Sequence, residues 1–295
     1  QHECRQRVPM DWLIKKIPRQ EIPGPLQEIP QPPKSLYLVG ELADCKKEYL
    51  LCVVGSRKYS SYGREVVEKI IFGLGGQPIT IVSGLALGID SLAHQAALQV
   101  GLKTLALPGS GLDQKVLYPS ANRRLAEKIV AAGGGLLSEY EPNQAATLYT
   151  FPQRNRLMAG LSKATLIIEA GAKSGTLITA RLATEYNRDV LAVPGSIFSP
   201  NSHGPNWLIK QGAIPVTSAE DVLVALGLQT QEDNKVDLNF SDLSPDEKII
   251  LELLQIESLD KEALIAKSGL KPSQANITLS MMEIRGLIKE AMGEI

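Results

Sequence analysis

The sequence predicts an α/β protein, a doubly wound sheet of parallel strands followed by a small helical, winged-helix-like domain. Three observations carry the prediction. Leu50 to His94 (LLCVVGSRKYSSYGREVVEKIIFGLGGQPITIVSGLALGIDSLAH) is a strand, loop and helix written twice. Short apolar runs then alternate with helical stretches of about 10 to 15 residues as far as Leu226, the pattern of βα units with helices on both faces of a sheet. Near residue 229 the composition turns polar and acidic, and three short helical stretches follow.

Residues 1–34 include IPGPLQEIPQPPK, a proline density that precludes a long helix and favours polyproline-like backbone lying against a neighbouring domain. No compact unit is legible before this run, so 1–34 is read as a proline-rich, ordered lead-in rather than a domain. The main domain is expected over 35–229, starting with a strand at Leu36–Gly40. Val53 and Val54, then Ile79, Ile81 and Val82, are β-branched runs too short for helices and too apolar for an edge, as in parallel strands covered on both faces. Thr104–Leu107 reads as a strand ending in PGSGLD, Asn122–Ala132 as a helix, Leu136–Glu139 as a strand, and TFPQRNRLMAGLS as a basic loop running into a helix. Ala164–Glu169 is a further strand, AGAKSGTLITA leads into a helix reaching Tyr186, and Val190–Val193 ends in PGS. Asn206–Gln211 is a short helix, Val216 opens one more strand, and Ala219–Leu226 is a helix.

The segment 230–241 (TQEDNKVDLNFS) is aperiodic and reads as a linker. The domain over 242–295 opens with SPDEKIILELL, whose Ser, Pro and acids are helix-start residues. LDKEALIAKSGL and PSQANITLSMMEIRGLI supply two more helices, ending at Gly286, Leu287 and Ile288 with most of a wing lacking.

With 295 residues and 44% hydrophobic side chains, the chain has room for two domains and a sizeable core. No stretch approaches the ~18 uninterrupted apolar residues of a membrane span, and the first residues lack the apolar centre of a signal peptide, so a cytoplasmic protein is expected. Cys4, Cys45 and Cys52 form no C-x-x-C pair, and His2, His94 and His203 are the only histidines, so neither a disulfide framework nor a metal site is expected. The net charge of −1 hides an asymmetry. Residues 1–229 carry 24 Lys and Arg against 19 Asp and Glu, a balance of +5; residues 230–295 carry 7 against 13, a balance of −6. The two parts should have different partners.

In a doubly wound sheet the loops leaving the carboxyl ends of the strands line the ligand crevice, and the helices that follow direct N–H groups and a positive dipole end into it. Gly55-Ser56-Arg57 suits that place: Gly55 admits close backbone, Ser56 donates a hydrogen bond and Arg57 brings a forked positive charge to an anion. Ser83-Gly84-Leu85, Gly109-Ser110-Gly111, Arg154-Asn155-Arg156 and Lys173-Ser174-Gly175-Thr176 are expected at the same edge, a constellation that suits several phosphates better than one. Neither G-x-x-x-x-G-K-[ST] nor G-x-G-x-x-G is present. Singly, each cation has a plainer reading. Arg57 and Lys173 serve equally as solvated loop residues, and Arg154 and Arg156 as a structural pair bonding loop carbonyls and acids.

Tyr59, Tyr62, Tyr118, Tyr149 and Phe151 lie in or beside these loops. They either anchor the loops to the core or stack unpaired bases, which contributes ~1–3 kcal/mol per base. Cations with rings nearby point towards single-stranded nucleic acid. Asp90 and His94, four residues apart on a helix, are read as stabilising that helix rather than completing a triad with Ser83. Glu169, at a strand end, is either a general base or an acceptor for the N–H groups of the following loop, and the second reading is preferred.

The series GSR, IVSGLALGIDSLAH, LALPGSGLD with YPSAN, LLSEY, FPQRNRLMAGLS, EAGAKSGTLITA and AVPG resembles, in order and spacing, the DNA-processing protein A family (DprA, also called Smf), over roughly residues 21–225. The resemblance implies an extended Rossmann-like domain that binds single-stranded DNA, dimerises, and loads the RecA recombinase during natural transformation, without catalysis or a cofactor. By motif, Arg57 and Lys173 match positions that contact the DNA backbone in the family; Ser56, Gly84, Asn155, Arg156, Ser174, Gly175 and Thr176 match loops of the same pocket. The tail is similar to the family's winged-helix domain, but its balance of −6 departs from a DNA reader and fits a protein-contact or regulatory module. A helical amino-terminal domain is not recognisable before Glu21. Two other readings compete: a nucleotide-base hydrolase using the segment Glu169–Thr176, although the P-G-G-x-G-T loop of such enzymes is lacking, and a nucleotide sensor with the tail as output.

Overall fold

The computed structural model describes residues 12–228, 243–256, 259–284 and Ile288. Two units separate between residues 230 and 231. The first is built on one nine-stranded sheet. Its strands are β1 (Lys15–Pro18), β2 (Ser35–Gly40), β3 (Tyr49–Val54), β4 (Ile79–Ser83), β5 (Lys103–Ala106), β6 (Gly135–Ser138), β7 (Ala164–Ile167), β8 (Asp189–Ala192) and β9 (Ile214–Pro215). Across the sheet they run β1-β2-β6-β5-β4-β3-β7-β8-β9. β2 is antiparallel to both neighbours, and the other pairs are parallel. From β3 the chain adds β4, β5 and β6 on one side, then crosses to add β7, β8 and β9 on the other.

The helices are α1 (Gly24–Gln27), α2 (Ser61–Gly73), α3 (Ile89–Gln99), α4 (Arg123–Ala131), α5 (Thr150–Leu161), α6 (Thr176–Glu185), α7 (His203–Lys210) and α8 (Ala219–Leu226). Alternation along β3 explains the layers. Leu51 and Val53 pack with Ile70 and Ile71 of α2, Ala93 of α3 and Val222 of α8. Leu50, Cys52 and Val54 share the opposite core with Leu157 and Met158 of α5, Ala180 of α6 and Leu208 of α7. With both faces covered, the central strands are apolar throughout, as parallel sheets require. Burial pushes the Cys52 thiol up to about 12, so it is an inert core group.

Three elements differ from the sequence reading. The lead-in contributes β1, whose Ile17 is buried opposite Leu36, and Ile22, Leu26 and Ile29 enter the core behind it. Proline density masks this strand, but Pro18 closes a strand at the sheet edge, where no ladder donor is lost. The stretch TFPQRNRLMAGLS is helical from Thr150, so Arg154, Asn155 and Arg156 sit on α5 rather than in a loop. Pro152 falls in the first turn, where its missing N–H leaves no bond unmade. The last strand ends at Pro215, before Val216.

The second unit contains α9 (Pro245–Ile256), α10 (Lys261–Ser268) and α11 (Pro272–Ile284), closed on Ile250, Leu251, Leu264, Leu279 and Met282. A capping box opens α9: the Ser244 N–H donates to Glu247 Oε2 at 2.7 Å, and the Glu247 N–H to Ser244 Oγ at 3.3 Å. The Ala263 N–H donates to Asp260 Oδ1 at 2.7 Å to open α10. The linker 230–241, Gly286 and Leu287 lie outside the described residues. Among those described, no helix is long and apolar enough to cross a membrane.

Candidate nucleic-acid interface

β3 and β7 are neighbours, and the chain leaves them for helices on opposite faces of the sheet, α2 and α6. This is the topological switch point of an open α/β sheet, where the departing loops part and leave a crevice. The crevice has a volume of about 610 Å³. Gly55, Ser56, Arg57 and Lys58 line it from the β3 loop, Lys173, Ser174, Gly175 and Thr176 from the β7 loop, Phe151, Arg154 and Asn155 from α5, and Asn201 from the stretch before α7.

The β3 loop is held tightly against α3. A Cβ on Gly55 would lie 2.7 Å from Ile89 Cγ1, so only glycine fits. Ser56 Oγ donates to the Lys58 carbonyl at 2.8 Å and accepts the Lys58 N–H at 3.1 Å, a local turn that projects the intervening Arg57 outwards. The Arg57 guanidinium lies 5.4 Å from the Phe151 ring centroid, and Phe151 is 5.7 Å from Tyr118 at a 53° tilt. In the β7 loop, the Thr176 N–H donates to Ser174 Oγ at 3.2 Å, a local turn leading into α6. Arg57 and Lys173 are exposed and form no ion pair among the described residues. The backbone N–H groups of Lys173 and Gly175 find no acceptor among those residues either. Free cations and free N–H groups at a helix start make an anion site.

The other charged groups here are structural. Arg154, only 5% exposed, donates through Nη1 to the Gly84 carbonyl at 2.6 Å and to the Leu107 carbonyl, tying the ends of β4 and β5 together. Asp90 accepts the Gly84 N–H at 3.1 Å; burial pushes its carboxyl up while the Arg154 charge opposes that rise. Glu169, 1% exposed, accepts the Ser60 N–H at 2.9 Å and the Ser60 hydroxyl at 2.5 Å, and Asn201 Nδ2 reaches the same carboxylate at 3.3 Å. Glu169 therefore fixes the β3 loop, not the loop that follows it, and both oxygens are engaged. No triad exists around His94: the Ser83 hydroxyl donates to the Val53 carbonyl at 2.6 Å, and His94 Nδ1 meets Thr104 Oγ1 at 2.6 Å. Burial lowers the His94 pKa to about 3.

The structure thus gathers Ser56, Arg57, Asn155, Lys173, Ser174, Gly175 and Thr176 in one crevice. Gly84 and Arg156 lie off it. Gly84 is packed beneath the Arg154 guanidinium and the Asp90 carboxylate, which leave no room for a side chain. Arg156 is taken up by Glu139, with Nη2 2.6 Å from Oε1, and by the Gln31 carbonyl at 2.6 Å, and so pins the lead-in. The Asn155 side chain has no hydrogen-bond partner among the described residues, which leaves its amide for a ligand. Asn201 was not legible: nothing in PGSIFSPNS marks it, and its place depends on the Lys58 carbonyl it meets at 3.0 Å.

The DNA recombination-mediator protein A family profile matches residues 14–227, and the DprA winged helix domain matches 239–294. Protein Smf of Escherichia coli is 46% identical over 191 residues, 65% of this chain and 50% of that protein. DNA processing protein DprA of Streptococcus pneumoniae is 48% identical over 201 residues, 68% of this chain and 70% of that protein. The chain spans about half the length of the E. coli relative. Among solved structures, S. pneumoniae DNA processing protein A aligns with a TM-score of 0.66 and 43% identity, covering 72% of this chain and 74% of that one. DNA processing protein A of Helicobacter pylori, described for its single-stranded DNA binding mode, aligns at 0.65 and 29%, covering 73% and 96%.

Proposed function

The chain belongs to the DNA recombination-mediator protein A family, and we propose that it is a non-catalytic single-stranded DNA-binding protein that captures the strand by its backbone in the β3–β7 crevice. The observation that carries this reading is the pairing of Arg57 and Lys173, exposed and without ion pairs among the described residues, on opposite loops of one crevice with free backbone N–H groups between. Several phosphates in a row fit such a track. The carboxylate at the strand end supports binding over catalysis: Glu169 spends both oxygens on Ser60 and Asn201.

Membership of the family supports the role. The protein processes DNA in natural transformation, shielding the incoming single strand, and acts as a homodimer that presents the strand to the RecA recombinase. The β3–β7 crevice grips phosphates while the bases remain outward, which leaves them available for pairing. Recombinase filament growth on a single strand tests the role: growth quickens when the protein is present, and unchanged rates overturn the loading step. Sustained release of free base from nucleotides would overturn the non-catalytic reading.

A further inference from the structure

The connection between β8 and α7 carries Ile197 and Phe198 at its tip, 84% and 89% exposed, and Phe198 is the most exposed aromatic ring among the described residues. The tip is firmly held. The Gly195 N–H donates to Asn206 Oδ1 at 3.2 Å, and Asn206 Nδ2 donates back to the Gly195 carbonyl at 2.9 Å. The Tyr62 hydroxyl donates to the Pro194 carbonyl at 2.6 Å, joining the connection to α2. Ser196 closes the turn, its Oγ accepting the Phe198 N–H at 3.2 Å and its carbonyl the Ser199 N–H at 3.0 Å. Farther along, Asn201 reaches into the crevice and bonds the Lys58 carbonyl.

A ring held in water by so many bonds contributes nothing to the core. Its flanks, Ser196, Ser199 and Asn201, are polar, so the tip offers one ring and its neighbour rather than the broad apolar patch of a protein interface. Its own chain joins it to the phosphate track: Asn201, three residues beyond Phe198, lines the crevice. We infer that Phe198 is a nucleobase-stacking platform that carries the path of the single strand out of the crevice and across the carboxyl end of β8. This rests on the single-strand reading above. A strand gripped by its phosphates at Arg57 and Lys173 keeps its bases free, and stacking on an exposed ring accepts any base. Ile197 supplies the side wall.

Length dependence separates the platform from the crevice. Labelled oligothymidylates of about 5 and about 20 nucleotides, spanning the usual range of single-strand site sizes, are titrated against the wild type, Phe198→Ala, Phe198→Trp and Arg57→Ala. Phe198→Ala should weaken the long oligonucleotide by about 5- to 140-fold, the stacking of one base, and leave the short one unchanged. Phe198→Trp should keep full affinity and lose indole emission as the long strand binds. Arg57→Ala should weaken both lengths. If Phe198→Ala matches the wild type at both lengths while Arg57→Ala weakens both, the crevice stands and the platform is overturned. Phe198→Ala that changes the oligomeric state without changing affinity makes the tip a protein interface and likewise overturns it. No binding by the wild type at either length overturns the single-strand reading itself.

Discussion

The carboxylate of Glu169, just beyond β7, takes both the backbone N–H and the hydroxyl of Ser60, the residue that caps α2. Two loops departing on opposite faces of the sheet are thereby fixed to each other across the switch point, and the cationic crevice inherits its shape from that bond.

Replacing either partner should loosen the crevice. Ser60→Ala and Glu169→Gln are each expected to cost about 1–3 kcal/mol in chemical denaturation, since a buried group loses its partner. The double variant should cost less than the sum, by a coupling of about 0.5–3 kcal/mol. Additive losses would mean that the two side chains act independently.

Arg154 and Arg57 should separate stability from binding. Arg154 is buried and donates through Nη1 to the Gly84 and Leu107 carbonyls, so Arg154→Met should lower stability by about 3–5 kcal/mol by stranding those groups and Asp90. Arg57 is exposed, so Arg57→Ala should leave the thermal midpoint in place while weakening single-strand binding. Thermal scans and anisotropy titrations on the two variants check this.

Much of this was legible in the chain. The alternation from Leu36 to Leu226 forecast the central strands because buried parallel strands leave no polar positions to confuse the pattern, and the turns at Gly55 and Lys173 betrayed the crevice by residue type. What was lost depended on three-dimensional partners. Arg154 and Arg156 look alike in sequence, but on a helix their side chains point about 200° apart, so the first is buried against the Gly84 and Leu107 carbonyls and the second turns to Glu139. β1 was hidden because its pairing with β2 is set by the sheet rather than by its own composition. Phe198 and Asn201 carry no local motif, and their positions are set by a loop pinned by Tyr62, Asn206 and Glu169.

Gly55→Ala should act through packing. The new methyl would meet Ile89 at 2.7 Å, and relief requires moving the β3 loop or α3. A loss of about 1–3 kcal/mol is expected from such overpacking. Binding should fall with it, as Arg57 is the second residue beyond the strained one; a variant with unchanged stability would show that the loop gives way freely.

His94 makes stability depend on pH. Its folded pKa of about 3 lies below the ordinary value of about 6.5, because burial and the nearby Arg154 charge disfavour the imidazolium. Between those limits the unfolded chain binds the extra proton, so stability is full above about pH 6.5 and falls by up to about 1.4 kcal/mol per unit as pH drops through the window. Asp90, whose carboxyl is raised by burial, opposes this at the acid end. His94→Gln should flatten the profile near pH 6, measured by urea midpoints.

A single strand held in the crevice between Arg57 and Lys173 should be detectable directly. Anisotropy of a labelled oligonucleotide, single-stranded against duplex, is measured at two salt concentrations for the wild type and for Arg57→Ala with Lys173→Ala. Binding should be salt-sensitive and prefer the single strand, and in the double variant it should be greatly weakened, with a logarithmic salt slope shallower by ~0.7 for each phosphate contact removed. Equal affinity and slope in both proteins would contradict it.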